Sequence, residues 1–407
     1  MTDKLVGSST PELVLDLSRL LSRVLHATPT GIDRVEMAYA RGLLAAVPDR
    51  LAFGAVHPVT GRYGRLPAPA VRRFLDRTEA RWADEGARPK VALRRSAADT
   101  LVRLLPRPVP GPAARRVYLL ASPNNLTKPR TVAAILRRER ARFACLVHDL
   151  IPLEYPEYAR PNGAAQHRRR IETIARLADG VIANSHATLA SLAPHLDAAG
   201  RAPETTVAHL GVDAPVRPTA AADVGRPYFV CVATIEPRKN HLLLLNIWRR
   251  LSEEHGPAAV PRLVLVGRRG WENEQVVDML ERCPALVGCV EERGGLPDRE
   301  VYRLIAGARA LLLPSFAEGY GMPVTEALAL GTPVLCSDLP ALREAGGDVP
   351  DYLDPLDGPV WARAVLALAA DPSPLREGQR RRLAGWTRPS WRDHLAILLQ
   401  MLHRLDA

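Results

Sequence analysis

Short apolar runs rich in β-branched residues alternate along most of the chain with longer stretches of amphipathic periodicity. This alternation limits the fold more than any other feature, because it is the pattern of strands joined by crossover helices. A parallel strand covered by helices on both faces is apolar on both sides, and runs such as LVLV and LLLP have that character. Strands are expected at Leu13–Leu17, Leu51–Val56, Val117–Ala121, Phe143–Val147, Gly180–Ala183 and Thr206–His209. A second series is expected at Tyr228–Ala233, Leu263–Val266, Val287–Glu291, Ala310–Leu313 and Pro333–Cys336. His241–Glu254 and Glu274–Arg282 are two of the helices between them. At roughly 100–200 residues per domain, a chain of 407 residues makes two α/β units.

The division is expected at Asp213–Pro227, rich in Pro, Ala and Gly and without periodicity, which reads as a linker. Residues 1–215 then form a first domain and 216–385 a second. Val71–Arg116 interrupts the first domain with an arginine- and proline-rich insertion of helices and loops. Trp391, Leu395, Leu398, Leu399 and Leu402 fall at helical spacing near the end of the chain. The start, MTDKLVGSSTPE, lacks the basic and apolar regions of a secretory leader. No run reaches the ~18 apolar residues of a spanning helix.

The net charge of +11 is almost wholly arginine; lysine occurs only at positions 4, 90, 128 and 239. It fits an anionic partner such as a nucleotide sugar or an acidic membrane surface. Compositional bias accounts for it equally well. No zinc finger, RNP-like run or basic–aromatic interleaving supports nucleic-acid binding, and aromatics make up only 5%. Five cysteines without CxxC spacing read as reduced residues of a cytoplasmic protein, three of them in apolar strands.

Four segments carry candidate chemistry. Glu318-Gly-Tyr-Gly-Met-Pro-Val-Thr-Glu326 follows an apolar strand and opens a helix. In open α/β sheets the crevice beyond the strands' carboxyl ends is where ligands bind. Gly319 and Gly321 leave room for close approach, and the helix start at Met322 and Pro323 offers amides to a phosphate. Glu318 and Glu326 flank the loop as acceptors for sugar hydroxyls; the alternative is a glycine-rich turn with a helix-start acid. Glu236-Pro-Arg-Lys-Asn240 sets Arg238 and Lys239 side by side after another strand, a pair suited to a diphosphate. The alternative is a solvated turn. Thr30-Gly31-Ile32-Asp33-Arg34 opens a helix, so Gly31 either faces a phosphate or belongs to a cap. His148-Asp149 ends a strand of the first half, where the histidine is placed for ligand contact or is structural. No Asp-x-Asp pair occurs. A basic pair at the phosphate position therefore argues for side-chain cations instead of a metal.

In order and wording these segments resemble the family-four retaining glycosyltransferases of the GT-B fold, in which two Rossmann-like domains face each other across a cleft. The resemblance runs from about Leu13 to Trp391 and is strongest through ATIEPRKN, LVLVGRRGW and PSFAEGYGMPVTEALALGTPVLCSD. TGIDRVEMAYARGL, LVHDLIPLEYPEY and ADGVIANSHATLASL extend it into the first half. It implies that Glu318 contacts the donor sugar, Glu326 the ribose, and Arg238 and Lys239 the diphosphate. It also places Gly31 opposite the phosphate, His148 near the sugar and backbone around Leu296 in the base pocket. Gly319, Tyr320, Gly321, Met322 and Pro323 complete the donor contacts. No cofactor or metal is implied. The EGYGMP wording favours GDP-mannose over UDP-sugars, with a glycan or lipid-linked acceptor at the inner face of the membrane. A shell that binds nucleotide sugar without transfer is the competing reading. The final helix, 386–407, is implied to cross back onto the first domain.

Overall fold

The computed structural model describes residues 11–26, 28–83, 90–111, 115–213 and 225–406. Two sheets organise it. The first contains β1 (Glu12–Asp16), β2 (Leu51–Val56), β3 (Tyr63–Leu66), β4 (Arg116–Leu120), β5 (Ala141–Val147), β6 (Gly180–Ala183) and β7 (Glu204–Val207), in the order β3-β2-β1-β4-β5-β6-β7. The second contains β8 (Tyr228–Val232), β9 (Arg262–Val266), β10 (Val290–Arg293), β11 (Leu311–Leu313), β12 (Val334–Ser337) and β13 (Asp351–Leu353), in the order β10-β9-β8-β11-β12-β13. Every pairing is parallel except that of β2 with β3.

Alternate residues of one strand enter different cores. Leu13 and Leu15 of β1 join one cluster while Val14 joins another with Tyr118 and Phe143. Phe229 and Cys231 of β8 pack on one side of the second sheet, Tyr228 and Val230 on the other. Both faces of each sheet are therefore covered by helices, which is why these strands read as unbroken apolar runs.

Two of the expected strands need correction. The strand placed at Val287–Glu291 begins only at Val290. A 3₁₀ turn at Pro284–Leu286 and a positive φ at Gly288 delay the extended backbone, and Val287 is exposed. The strand placed at Thr206–His209 starts two residues earlier, at Glu204. Two edge strands, β3 and β13, were not anticipated. The segment read as an insertion is largely helical, Ala68–Ala83 and Lys90–Arg103, with residues 84–89 and 112–114 outside the described set. Residues 214–224 of the linker also lie outside it.

The last helix, Trp391–Asp406, packs on the first sheet. Leu395, Leu398, Met401 and Leu402 are buried in the same cluster as Leu13 and Leu43. His394 donates from Nδ1 to the carbonyls of Ala208 and His209 and accepts at Nε2 from the Tyr39 hydroxyl at 2.7 Å. The chain crosses at Gly211, where a Cβ would stand 2.1 Å from the Trp391 amide nitrogen, so only glycine admits the approach. Burial of four such side chains is worth about 1.5–3 kcal/mol each, comparable with the ~5–15 kcal/mol stability of a whole domain. Deleting 391–407 is therefore expected to unfold the first domain. An unchanged melting profile of the truncated protein would contradict this.

Candidate active site

The turn before the first glycine segment is set by local charges. Thr30 and Asp33 form a capping box at the start of the helix Gly31–Ala46. Arg19 and Arg23, on and just after the short helix Ser18–Ser22, hold Asp33 at 2.7 and 2.6 Å. Beneath them Asp16 accepts from Ser18 and from the Tyr118 hydroxyl, and Glu36 accepts from the Leu20 amide. Burial pushes Glu36 up to about 8. Gly31 then faces the second domain, where a Cβ on it would meet the end of the Met322 side chain at 2.5 Å.

In the second domain β8 and β11 are neighbours, and the loops after them converge. The Lys239 ammonium donates to Glu318 Oε1 at 2.5 Å and Arg238 Nη1 donates to Oε2 at 3.0 Å. The Ser315 hydroxyl donates at 2.7 Å. Arg238 also reaches Glu236 at 2.8 Å and the Ala317 carbonyl at 2.8 Å. Burial pushes the Glu318 carboxyl up, but Lys239 and Arg238 outweigh it and hold the group at about 2. Burial and the neighbouring Arg238 pull the Lys239 ammonium below its ordinary value. Two cations and two carboxylates thus form a charge-balanced cluster at the topological switch of the sheet.

The same loop touches the first domain. A Cβ on Gly319 would lie 2.1 Å from the His148 carbonyl oxygen. The Gly319 carbonyl accepts from the Ser185 hydroxyl at 2.7 Å and the Thr188 hydroxyl at 3.1 Å. Tyr320 is buried and stacks on His209, with ring centroids 5.6 Å apart. Gly321, at φ +111°, turns the chain into the helix Met322–Ala329 with Pro323 in its first turn. At the far side of the interface Tyr158 stacks on Phe316 at 5.6 Å, and the Trp271 indole donates to the Tyr158 carbonyl.

The candidate residues are distributed as follows. Glu318, Arg238 and Lys239 are in mutual contact. His148 is half-buried with Nε2 2.9 Å from the Ala121 carbonyl, and burial lowers its pKa. It reaches the loop of Glu318 through its backbone, not its ring. Glu326 stands apart from the cation pair and faces Arg34 of the first domain at 3.9 Å. Leu296 packs its side chain against a core of the second domain, next to the positive-φ Gly295. Tyr320 and Met322 are engaged by the first domain. Sequence reasoning quoted Glu236, Ser315, Ser185 and Arg34 within its segments but gave none of them a role. For Ser185 and Arg34 the partners are more than a hundred residues away.

A cavity of about 800 Å³ opens between the domains, lined by Arg34, Met37, Trp82, Asp298, Tyr302 and Trp391 among others. It adjoins Arg34 but not Glu318, Arg238 or Lys239. Among the described residues, no group of three or more His, Cys, Asp or Glu side chains is arranged to hold a metal ion. Among them, too, no helix is long and apolar enough to cross a membrane.

Residues 226–371 match the family model of the glycosyl transferases group 1. The chain is 35% identical over 166 residues to an O-antigen chain mannosyltransferase B of Escherichia coli, covering 41% of this chain and 43% of that protein. It is 30% identical over 225 residues to the serotype-specific mannosyltransferase WbdA of Escherichia coli, covering 51% and 27%. The matches thus span less than half of the length of either relative. The Anabaena HepE protein, solved in complex with UDP and glucose, superimposes with a TM-score of 0.62 at 17% identity, over 97% of this chain and 98% of that one. The second domain therefore carries the match to the glycosyl transferases group 1, and over nearly its whole length the chain has the two-domain GT-B fold that HepE shows.

Proposed function

We propose that the chain is a retaining, metal-independent glycosyltransferase that moves a hexose from a nucleotide-diphosphate sugar, GDP-mannose by preference, to a glycan or lipid-linked acceptor of surface polysaccharide. The buried Glu318–Arg238–Lys239 cluster carries this reading. Both cations are paired with Glu318. A donor's diphosphate would draw both cations to itself and free the carboxylate to accept hydroxyl hydrogens of the sugar. The bond from the anomeric carbon to the diphosphate breaks as the acceptor oxygen adds from the same face. The acceptor proton passes to the departing diphosphate oxygen. Arg238 and Lys239 then stabilise the charge that develops on the leaving group, in a site that excludes water when the domains meet. Glu326 accepts the ribose hydroxyls. The mannosyltransferase relatives support the sugar, and the charge of +11 supports approach to an acidic membrane.

Purified protein given GDP-mannose in EDTA is expected to release GDP, slowly by hydrolysis and faster with an acceptor glycan. UDP-glucose run beside it should be the poorer donor. Release of neither nucleotide would refute transfer. Activity abolished by EDTA and restored by magnesium or manganese would refute metal independence, and faster turnover of UDP-glucose would reassign the donor.

A further inference from the structure

Arg34 is the second residue after the glycine loop's Ile32, on the first turn of the helix Gly31–Ala46. Its guanidinium crosses to the second domain, where Nη2 meets Asp298 Oδ1 at 2.5 Å and Nη1 stands 3.9 Å from Glu326 Oε1. The fork therefore spans two carboxylates of the partner domain: one at the start of the helix Asp298–Gly307, the other on the helix Met322–Ala329. Arg34 and Asp298 both line the interdomain cavity and each keeps about a third of its side-chain surface, so the bridge borders solvent. Glu326 is the more enclosed of the three.

We infer that Arg34 is a positioning residue of the donor site: reaching over from the first domain, it holds Glu326 as the carboxylate that accepts the ribose hydroxyls. The inference rests on the role proposed above for Glu326. The groups facing that acid come from every element around it. They are Arg34 from the first domain, Asp298 and Tyr302 from one helix of the second, and Asp213 from the connection. Burial first, then Asp298 and Asp213, raise Glu326 against the lowering effect of Arg34, and together they leave it at about 7. Arg34 is the only cation in this set. An acid left protonated near neutral pH would present one donor hydrogen where two hydroxyls need acceptors. Asp298 has a second part: it fixes the guanidinium at the interface while its own charge works against ionisation of Glu326.

The two members of the bridge thus act on Glu326 with opposite sign, and a purely structural bridge does not. The test is GDP-mannose affinity from pH 5 to 8.5 by calorimetry, a ligand whose diphosphate does not titrate in that range, with UDP-glucose in parallel. In the wild type, affinity falls as pH drops through the Glu326 transition. Arg34→Gln is expected to move that fall to higher pH, by about one unit, which is about a tenfold loss of affinity on the acid side. Asp298→Asn is expected to move it to lower pH, and Arg34→Lys to restore the wild-type limb. Shifts in the same direction for R34Q and D298N, or no shift in either, would overturn the inference. Glu326→Gln separates the two levels. If it abolishes the acid limb while R34Q leaves the limb in place, only the part given to Arg34 fails. If it binds donor with the wild-type affinity and limb, the role of Glu326 itself fails, and the inference with it.

Discussion

Replacing Arg238 or Lys239 by alanine is expected to lower turnover about 10²–10³-fold, on the order of 2–4 kcal/mol in the barrier, as when one donor to a developing oxyanion is lost. The structure adds a reason beyond phosphate contact. Each cation also offsets the burial of Glu318, whose carboxyl is held at about 2 by the pair. Without Lys239 the acid keeps Arg238 and Ser315, and without Arg238 the buried Glu236 loses its 2.8 Å partner as well. The arginine variant should therefore lose more thermal stability than the lysine variant, while both lose turnover. Circular dichroism and a single-turnover assay with GDP-mannose separate these effects. Rates near wild type in both variants would remove the cluster from the chemistry.

Gly319→Ala should be the most damaging single methyl group that can be added at the interface. The new Cβ would meet the His148 carbonyl oxygen at 2.1 Å and the Asp149 Cβ at 2.9 Å. A carbonyl cannot swing aside as a long side chain can. The glycine's own carbonyl is pinned by Ser185 and Thr188, so the loop has little freedom to retreat. The domains must part by a fraction of an ångström or more. Misplacement of about 1 Å can cost about 10²-fold in rate, and a fall of that size in kcat/KM is expected, with each domain's unfolding transition unchanged. Wild-type kinetics in G319A would mean that this contact is not part of the working state.

How much of this was readable in advance depends on where the information sits. β2, β6 and the helix Glu274–Arg282 match the sequence reading residue for residue, because burial on both faces or one face imposes a period that a short window displays. β3 escaped because YGRL is a short antiparallel edge. Its inward Arg65 is satisfied by Glu12 and Glu139 from distant strands and helices, which no local pattern announces. The candidate site divides in the same way. Glu318, Arg238 and Lys239 were visible singly, since each follows a strand's carboxyl end. Their pairing was not, because it depends on β8 lying next to β11 across eighty residues of chain. Arg34 sat in a segment already under suspicion, yet its partners lie 264 and more residues onward.

The helix His186–Ala198 in the first domain borrows its first turn's acceptors. Ser185 serves the Thr188 amide, but the amides of His186 and Ala187 are taken by the two oxygens of Glu344, which belongs to the second domain. The same carboxylate also meets His209 at 3.1 Å. A helix N-terminus ordinarily satisfies its leading amides from its own chain neighbourhood or from water. Here the closed arrangement supplies them, so each opening of the cleft hands two backbone amides to solvent and each closing takes them back. Their exchange with deuterium therefore counts openings directly. On the function proposed above, that motion would admit donor and release product, and these two amides would time it.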